Sequence, residues 1–391
     1  MDDKGRFLVL CINPGSTSTK IGVFRDEEPV TVVNVPHKPE ELKAFERVAD
    51  QKSYRAQHVL ETLKQSGIAV SELDAVVGRG GMMKPIPGGT YSVNSVMLED
   101  LADYSLKYYG SEHIANLGAA IAKEIGDEAG APSFIVDPIS TDDFIPLTRI
   151  SGVPEVERVS LMHSLNLRAK GRQAASLQGG KFEELNMVGC HLGGGISMAA
   201  FEKGRAIDAN HGLLGYGPFS PQRAGTLSIS AVMDFCFSGK YSAKDLQKKF
   251  GKESGFIGYL GTDDGREVLR MIDEGDELAR TVFDAMALQT AKEIAALAAV
   301  LSGDVACIFI TGGLANAVRL VEAVTARVSF IAPVHVLPGE DELTAMNEGA
   351  LRILRGQEKP HEYTASDSLK ERVENPDKFK VINNLRRAGG K

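Results

Sequence analysis

Two strand–turn–strand patterns, about 180 residues apart, constrain the fold of this sequence most strongly. The first occupies residues 7–24 and the second residues 187–201, and in each an apolar strand enters a turn and returns as a second apolar strand. Equivalent points are separated by nearly the same number of residues, 179 for Cys11 and Cys190 and 177 for Phe24 and Phe201. This offset predicts an internal duplication, with two similar domains facing each other.

Helical patterns lie between and after these hairpins. Apolar residues recur at helical spacing over 39–66, 96–127 and 164–178, and a broad apolar stripe over 276–302 leads into a β-branched strand at 305–310. Strands that alternate with helices favour α/β domains. A chain of 391 residues also exceeds the usual size of one hydrophobic core, which predicts two domains. The last residues, 364–391, are rich in charge and are expected to be partly disordered.

Composition excludes several classes of partner. The 44 basic and 52 acidic residues give a net charge of −8, which disfavours broad binding to nucleic acid or anionic membranes. The four cysteines are widely spaced and form no Cys-x-x-Cys pair, so neither a zinc knuckle nor a disulfide framework is indicated. The apolar run near the amino terminus is too short for a signal peptide, and no stretch is long enough to span a bilayer. These features predict a cytoplasmic protein.

Hydroxyl-rich and glycine-rich turns point to phosphate chemistry. The turn at 13–20 offers backbone amides, hydroxyls and one ammonium group, which suit phosphate oxygens, although an ordinary Asn-Pro-Gly turn is the alternative. Glycines follow the strands at 193–195 and 312–313. The sequence contains neither a P-loop nor a dinucleotide-binding glycine motif, so a nucleotide site would have to be assembled from separate loops. Sugar kinases, actin and the heat-shock chaperones meet this requirement, with ATP in a cleft between two halves.

Five runs of residues carry a specific family resemblance. In chain order they are INPGSTSTK at 12–20, VGRGGMMKPIPGGTY at 77–91, HLGGGIS at 191–197, GPFSPQRAG at 217–225 and PGEDEL at 338–343. Together they resemble the butyrate kinases of the acetate kinase family, over about residues 6–363.

The resemblance implies an α/β fold of two duplicated ribonuclease H-like (actin-like ATPase) domains with an interdomain cleft. It places one domain at 1–137 with 341–391 and the other, with the adenosine site and a dimer interface, at 138–340. The implied activity is reversible phosphorylation of butyrate to butyryl phosphate with ATP and Mg²⁺, in a homodimer. Acetate, propionate and branched acids remain alternative substrates, and a non-catalytic actin-like ATP-binding protein remains an alternative function.

Two arginines fit this chemistry on physical grounds. A carboxylate that attacks the terminal phosphate of ATP brings like charges together, at about 4 kcal/mol per unit pair at 4 Å in a site of intermediate dielectric. Arg79 lies between glycines and Arg223 precedes Ala-Gly, and a forked guanidinium suits both the carboxylate and the phosphoryl oxygens. Ordinary surface ion pairs are the alternative for both residues.

Further catalytic roles follow from the resemblance alone. Asp137 would position Arg79 or a magnesium-bound water. It need not be a base, because a fatty acid is already ionised at neutral pH. An Asp-Pro turn is the alternative for Asp137. His163 would face the transferring phosphoryl group, and His191 would lie on the phosphate side. A structural role is the alternative for His163.

The resemblance also implies ligand contacts. Magnesium would be held by Asn13 and by a carboxylate of the run Glu340, Asp341 and Glu342; alignment on Pro338 and Leu343 selects Asp341. The tail of the acid would lie against Gly81, where acetate kinases have valine, and against Met162, which predicts room for a longer chain. Two added methylenes are worth about 1.6 kcal/mol, so this is a preference only. The nucleotide contacts would come from Asn13, Ser16, Ser18, Lys20, His191, Gly193, Gly194, Gly195, Asp264, Arg266, Gly312, Gly313 and Asn316. Among these, Asp264, Arg266, Gly312 and Gly313 would contact adenosine.

Overall fold

The computed structural model describes residues 6–109 and 112–365, together with positions 375, 380, 381, 383 and 384. The chain divides into two compact units, one formed by Met1–Thr141 with Asp341–Lys391 and the other by Asp142–Glu340. Most of the segment 364–391, which we expected to be partly disordered, lies outside the described residues. No helix within the described ranges is both long and apolar enough to cross a membrane.

The strands form two sheets, one in each unit. In chain order they are β1 (Leu8–Pro14), β2 (Ser18–Arg25), β3 (Glu28–Pro36), β4 (Ala75–Arg79), β5 (Thr90–Ser92), β6 (Ser133–Val136), β7 (Asn186–Leu192), β8 (Ile196–Glu202), β9 (Arg205–Ala209), β10 (Cys307–Gly312), β11 (Val334–Pro338) and β12 (His361–Glu362). The sheet of the first unit has the order β12-β5-β6-β4-β1-β2-β3, and that of the second has the order β11-β10-β7-β8-β9.

These orders contain the same five-strand core. In each unit an antiparallel meander of three strands is extended by two parallel strands, because β4 pairs with β1 as β10 pairs with β7. The second parallel neighbour is β6 in one sheet and β11 in the other. The hairpins β1–β2 and β7–β8 occupy equivalent central positions. The predicted α/β fold with an internal duplication is therefore confirmed.

Helices cover the sheets. Their bounds are α1 (Pro39–Leu42), α2 (Lys52–Gln65), α3 (Ser95–Tyr109), α4 (Asn116–Ala129), α5 (Pro146–Arg149), α6 (Ser164–Leu177), α7 (Ile229–Phe237), α8 (Ala243–Lys252), α9 (Gly255–Leu260), α10 (Gly265–Asp273), α11 (Glu277–Val300), α12 (Val318–Val328) and α13 (Glu342–Leu354). Strand β1 reads as a continuous apolar run because both of its faces are covered. Alternate residues such as Leu10 and Ile12 share a core with α2 and α4, and α13 packs from the other side.

Two of the predicted helices are interrupted. The pattern at 39–66 forms α1 and α2, and between them the Asp50 carboxylate accepts the backbone N–H of Arg47, an alternative to the helical bond. The pattern at 96–127 forms α3 and α4, and just before α4 the His113 ring accepts the N–H of Ala115. Apolar spacing does not register such side-chain bonds, so the continuous helices predicted for these two stretches are wrong.

Candidate functional site

In the first unit, the polar turn between β1 and β2 is an exposed loop on a buried hairpin. Asn13 and Lys20 face each other in register, and the turn is closed by a bond of 2.7 Å from the Gly15 N–H to the Ser18 carbonyl. Ser16 and Lys20 are exposed and Ser18 is half-buried. The hydroxyl-bearing residues therefore lie where a ligand can reach them.

A carboxylate from α13 joins this turn to the first arginine. Glu342 Oε1 lies 3.1 Å from Arg79 Nε, and Glu342 Oε2 accepts the side-chain amide of Asn13. Arg79 is the last residue of β4 and is buried, so it is not the solvated surface arginine of the alternative interpretation. Asn13, Arg79 and Glu342 form one polar cluster.

The neighbouring Asp341 is the residue that the alignment selects as the magnesium ligand. It caps α13, where its carboxylate accepts the N–H of Thr344 at 3.0 Å and the hydroxyl of Thr344 at 2.6 Å. Glu342, one residue further, is the carboxylate that reaches Asn13. Within the described ranges no three His, Cys, Asp or Glu side chains are arranged to hold a metal ion. Oxygen donors from Asn13 and Glu342 fit Mg²⁺, which commonly keeps waters and binds substrate phosphates.

Asp137 follows β6, the strand that pairs with β4, and Val136 is in register with Arg79. Its backbone is in the left-handed region with φ of 40°, and its carboxylate accepts the Gly89 N–H at 2.8 Å. His113, which the sequence analysis missed, also lies near Arg79. Burial and the positive charge of Arg79 lower the pKa of His113. Only this electrostatic coupling identifies His113, because nothing in its sequence neighbourhood does.

The two residues predicted to line the tail of the acid are packed against protein. A Cβ added to Gly81 would lie 2.1 Å from Asn116 Oδ1 and 2.7 Å from Asn116 Cα. Glycine is required there by the close approach of α4, so its missing side chain does not create room for a longer tail. Met162 is buried in a core cluster with Phe144 and Leu167. The steric argument for a longer acid is therefore wrong.

In the second unit, two histidine rings stack. The centroids of His163 and His191 are 4.0 Å apart and the rings are 11° from parallel. His163 Nδ1 lies 2.8 Å from the hydroxyl of Ser197. His191 Nδ1 lies 3.1 Å from Asn166 Oδ1, and His191 Nε2 lies 3.0 Å from Glu340 Oε1. Glu340 therefore contacts the histidine pair.

Asn166 fixes the orientation of the His191 ring. Its amide donates to the Gly339 carbonyl at 3.2 Å, and its oxygen accepts the hydroxyl of Thr311 at 3.2 Å. An oxygen can only accept, so the proton of this pair is on His191 Nδ1. The opposite ring nitrogen, Nε2, is then turned towards Glu340.

Arg223 lies directly on the glycine loop between β7 and β8. A Cβ added to Gly195 would lie 1.9 Å from the Arg223 guanidinium, and one added to Gly194 would meet Gln222. Only glycine allows this contact. Arg223 donates to the Gly212 carbonyl, and burial lowers the pKa of Arg223. In the described part of the chain no carboxylate pairs with it, and its buried Nε–H has no acceptor. A half-buried cation without a carboxylate partner favours an anionic ligand.

The residues predicted to contact adenosine lie at separate turns of the second unit. Thr311 is in register with His191, so Gly312 ends β10 beside the loop of Gly193. Gly312 has φ of 90°, and a Cβ there would lie 2.3 Å from the Leu192 carbonyl. A Cβ added to Gly313 would have no described atom within 4 Å, and the side-chain amide of Asn316 donates to the Gly313 carbonyl at 3.0 Å.

Asp264 and Arg266 engage each other. Asp264 caps α10 and binds the Arg266 guanidinium with two bonds, of 3.0 Å and 2.7 Å, on the surface. This pairing holds the pKa of Asp264 at about 2.

Comparison with known proteins agrees with this architecture. The sequence model of the Acetokinase family matches residues 164–340. The chain resembles the crystal structure of Porphyromonas gingivalis acetate kinase at 20% identity and a TM-score of 0.72, covering 89% of this chain and 100% of that one. The structure of a propionate kinase from Francisella tularensis subsp. tularensis SCHU S4 matches at 15% identity and a TM-score of 0.71, covering 88% of this chain and 98% of that one. The structure of acetate kinase from Entamoeba histolytica matches at 17% identity and a TM-score of 0.69, covering 88% of this chain and 99% of that one. The chain thus has the fold of acetate and propionate kinases, and residues 164–340 match the acetokinase family.

Proposed function

We propose that the protein is an ATP-dependent carboxylate kinase that transfers the terminal phosphoryl group of ATP directly and reversibly to butyrate. The observation that carries the proposal is Arg223, a half-buried guanidinium with a buried Nε and no carboxylate partner in the described residues, held against the glycine loop at Gly195. A site that keeps such a cation is suited to an anion that carries more than one charge.

The proposed roles of the side chains follow from charge. Arg79 would bind the carboxylate of the acid, which needs no base because it is already ionised at neutral pH. Arg223 would bind the phosphoryl oxygens and offset the repulsion of about 4 kcal/mol per unit pair of charges. His163 would donate to the same group, and His191 would support it by stacking.

Magnesium fits the first unit better through Glu342 than through Asp341. Glu342 lies against Asn13, whereas the oxygens of Asp341 are engaged in capping α13. When bound, the ion would neutralise charge on the ATP phosphates. We propose Asn13 and Glu342 as the residues that hold it, with Asp137 positioning the loop at Gly89.

A hydroxamate assay with ATP, Mg²⁺ and straight or branched acids of two to five carbons tests the activity. We expect Arg79→Gln and Arg223→Gln each to lower kcat/KM at least 100-fold, since one lost transition-state donor typically costs that much. Arg280→Gln, which removes a surface arginine paired with Glu277, is the matched control and should change it less than threefold. If all three variants keep activity near wild type, the charge-offset mechanism is incorrect.

The preference for butyrate rests on the sequence resemblance. Acetate or propionate is the second candidate substrate, because the solved structures with this fold are described as acetate and propionate kinases. Burial of two more methylenes would favour butyrate over acetate about fifteenfold in kcat/KM. The acid panel decides the question, and equal or better use of acetate would reject butyrate.

We also propose a cytoplasmic homodimer, as the resemblance implies. The apolar helix α7 has no buried residue, with Ile229 78% and Phe237 83% exposed, and is the candidate face for a second copy. Sedimentation velocity should show a dimer that Phe237→Ser weakens. A wild-type monomer at micromolar concentration would refute the proposal. All four cysteines are free, as is usual in a reducing compartment.

A further inference from the structure

Arg55, on α2, lies beneath the turn at 13–20. The side chain is 0% exposed. One terminal nitrogen, Nη1, donates to the carbonyls of Gly15 at 2.9 Å and Ser18 at 3.1 Å, and the other, Nη2, lies 3.4 Å from the carbonyl of Ser16. Three contacts thus connect one guanidinium to the backbone of one short turn.

The remaining partners of Arg55 are also neutral. Nε and Nη2 share the side-chain oxygen of Gln51 at 3.0 Å and 2.9 Å, and Nη1 donates to the hydroxyl of Thr19 at 3.0 Å. No carboxylate in the described ranges lies within ion-pair distance of it. Burial lowers the pKa of Arg55 to about 10, so the group is still charged at neutral pH. Its charge is therefore balanced by the dipoles of carbonyl groups and of the Thr19 hydroxyl.

The geometry of the peptide bond then determines where the N–H groups of the turn point. In a trans peptide the C=O of one residue and the N–H of the next point in opposite directions. Because the carbonyls of Gly15 and Ser16 point to Arg55, the N–H groups of Ser16 and Thr17 point away from it. Both residues are exposed, and within the described residues neither N–H has a backbone or side-chain acceptor. Two adjacent donors of this kind make an anion-binding concavity.

We propose that Arg55 is a positioning residue that holds this turn in the conformation that binds a phosphate group of ATP. Arg55 does not touch the nucleotide. It orients the N–H donors of Ser16 and Thr17 and places behind them a positive charge that has no carboxylate partner in the described residues. The inference rests on the proposed function for the identity of the ligand.

The test compares Arg55→Gln and Arg55→Lys with a control, Arg168→Lys. Arg168 is also buried and also donates to a backbone carbonyl, that of Gly204. It belongs to the other unit and does not contact the turn at 13–20 in the described hydrogen bonds. ATP binding is measured by calorimetry without acid, and KM for ATP and for butyrate are measured separately. Calorimetry keeps this test distinct from the proposed reaction, because ATP binding can be measured even if no acid is phosphorylated.

We expect Arg55→Gln to weaken ATP binding and raise KM for ATP at least tenfold, with KM for butyrate changed less than threefold. Arg55→Lys, which keeps the charge but reaches fewer carbonyls, should give an intermediate increase. Arg168→Lys should leave ATP binding unchanged. If Arg55→Gln does not fold, Arg55→Lys decides: a selective loss of ATP binding supports the proposal. Unchanged ATP binding, or equal loss for both substrates, overturns it.

Discussion

The contact between α4 and β4 allows a sharp test of how the fold positions Arg79. Gly78 on β4 and Gly118 on α4 face each other without side chains. A Cβ added to Gly118 would lie 2.4 Å from the Arg79 carbonyl oxygen and 2.7 Å from its nitrogen. Both of these atoms belong to the backbone, so no rotamer change relieves the clash. Ordinary contact begins near 3.4 Å, and α4 would therefore have to move by about 1 Å in Gly118→Ala.

Two opposing effects set the expected size of the change. Alanine in a helix is favoured over glycine by about 1 kcal/mol, whereas overpacking a tight core costs about 1–3 kcal/mol. The clash is with rigid backbone, so we expect net destabilisation of about 1–2 kcal/mol. Asn116 would move with α4. Its side-chain oxygen accepts the N–H of Met82 at 2.7 Å, next to Gly81. The geometry around Arg79 should therefore be lost, with kcat/KM for the acid at least tenfold lower.

Gly251→Ala provides the matched control. Gly251 is also in a helix, α8, but an added Cβ would meet only the end of the Leu214 side chain at 3.3 Å, and that side chain can turn aside. We expect this variant to be as stable as wild type or slightly more stable. Urea unfolding gives the free energy of unfolding of both variants, and the two can be compared directly where the m values are equal. If Gly118→Ala is as stable and active as Gly251→Ala, our account of the α4–β4 contact is incorrect.

Three further predictions address the metal, the pH response and the cysteines. Glu342→Gln should raise the Mg²⁺ concentration for half-maximal activity at least tenfold, whereas Asp341→Asn should mainly change the melting temperature; the reverse pattern would make Asp341 the ligand. Burial, with the charge of Arg55, lowers the pKa of His37 to about 4. As the pH falls below about 6.5, His37 is protonated in the unfolded chain before it is protonated in the folded protein. The free energy of unfolding should therefore decline between pH 6.5 and 4, by up to about 3 kcal/mol. In urea unfolding experiments, His37→Gln should make this decline smaller. A thiol reagent should modify Cys236 rapidly in the native protein and the other three cysteines only on unfolding, because those three are buried; fast modification of two or more would contradict the burial.

The hairpins could be predicted from the sequence because burial leaves a local signature. Strands β1 and β7 are covered on both faces, so each has a largely apolar sequence at the predicted position. The interruptions at 43–51 and 112–115 could not be predicted in this way. Apolar spacing reports which face of a helix is buried, but it does not report where a side chain such as His113 replaces a helical hydrogen bond.

Residues of the candidate site that lie at the ends of strands, such as Arg79 and Asp137, could be predicted from the apolar runs that precede them. Choosing between Asp341 and Glu342 requires knowing which residue caps α13, and the sequence run does not reveal this. Arg55 was missed because an arginine in the polar stretch 52–58 has the pattern of a solvated helix face. Its function as a support for the turn depends on a contact with residues about 40 positions earlier in the chain.

The duplicated hairpins share a backbone arrangement, but an arginine contacts the turn of each hairpin in a different way. In the first unit Arg55 binds the carbonyls of the turn from beneath, and in the second Arg223 lies on Gly195, the third glycine of the loop. Neither arginine has a carboxylate partner in the described residues, and burying such a charge is costly. A bound phosphate would recover part of that cost by supplying the missing negative charge. The two arginines lie on different local structures, Arg55 on α2 and Arg223 in a loop, so the similarity between the two hairpin sequences does not predict that each turn has an arginine beside it.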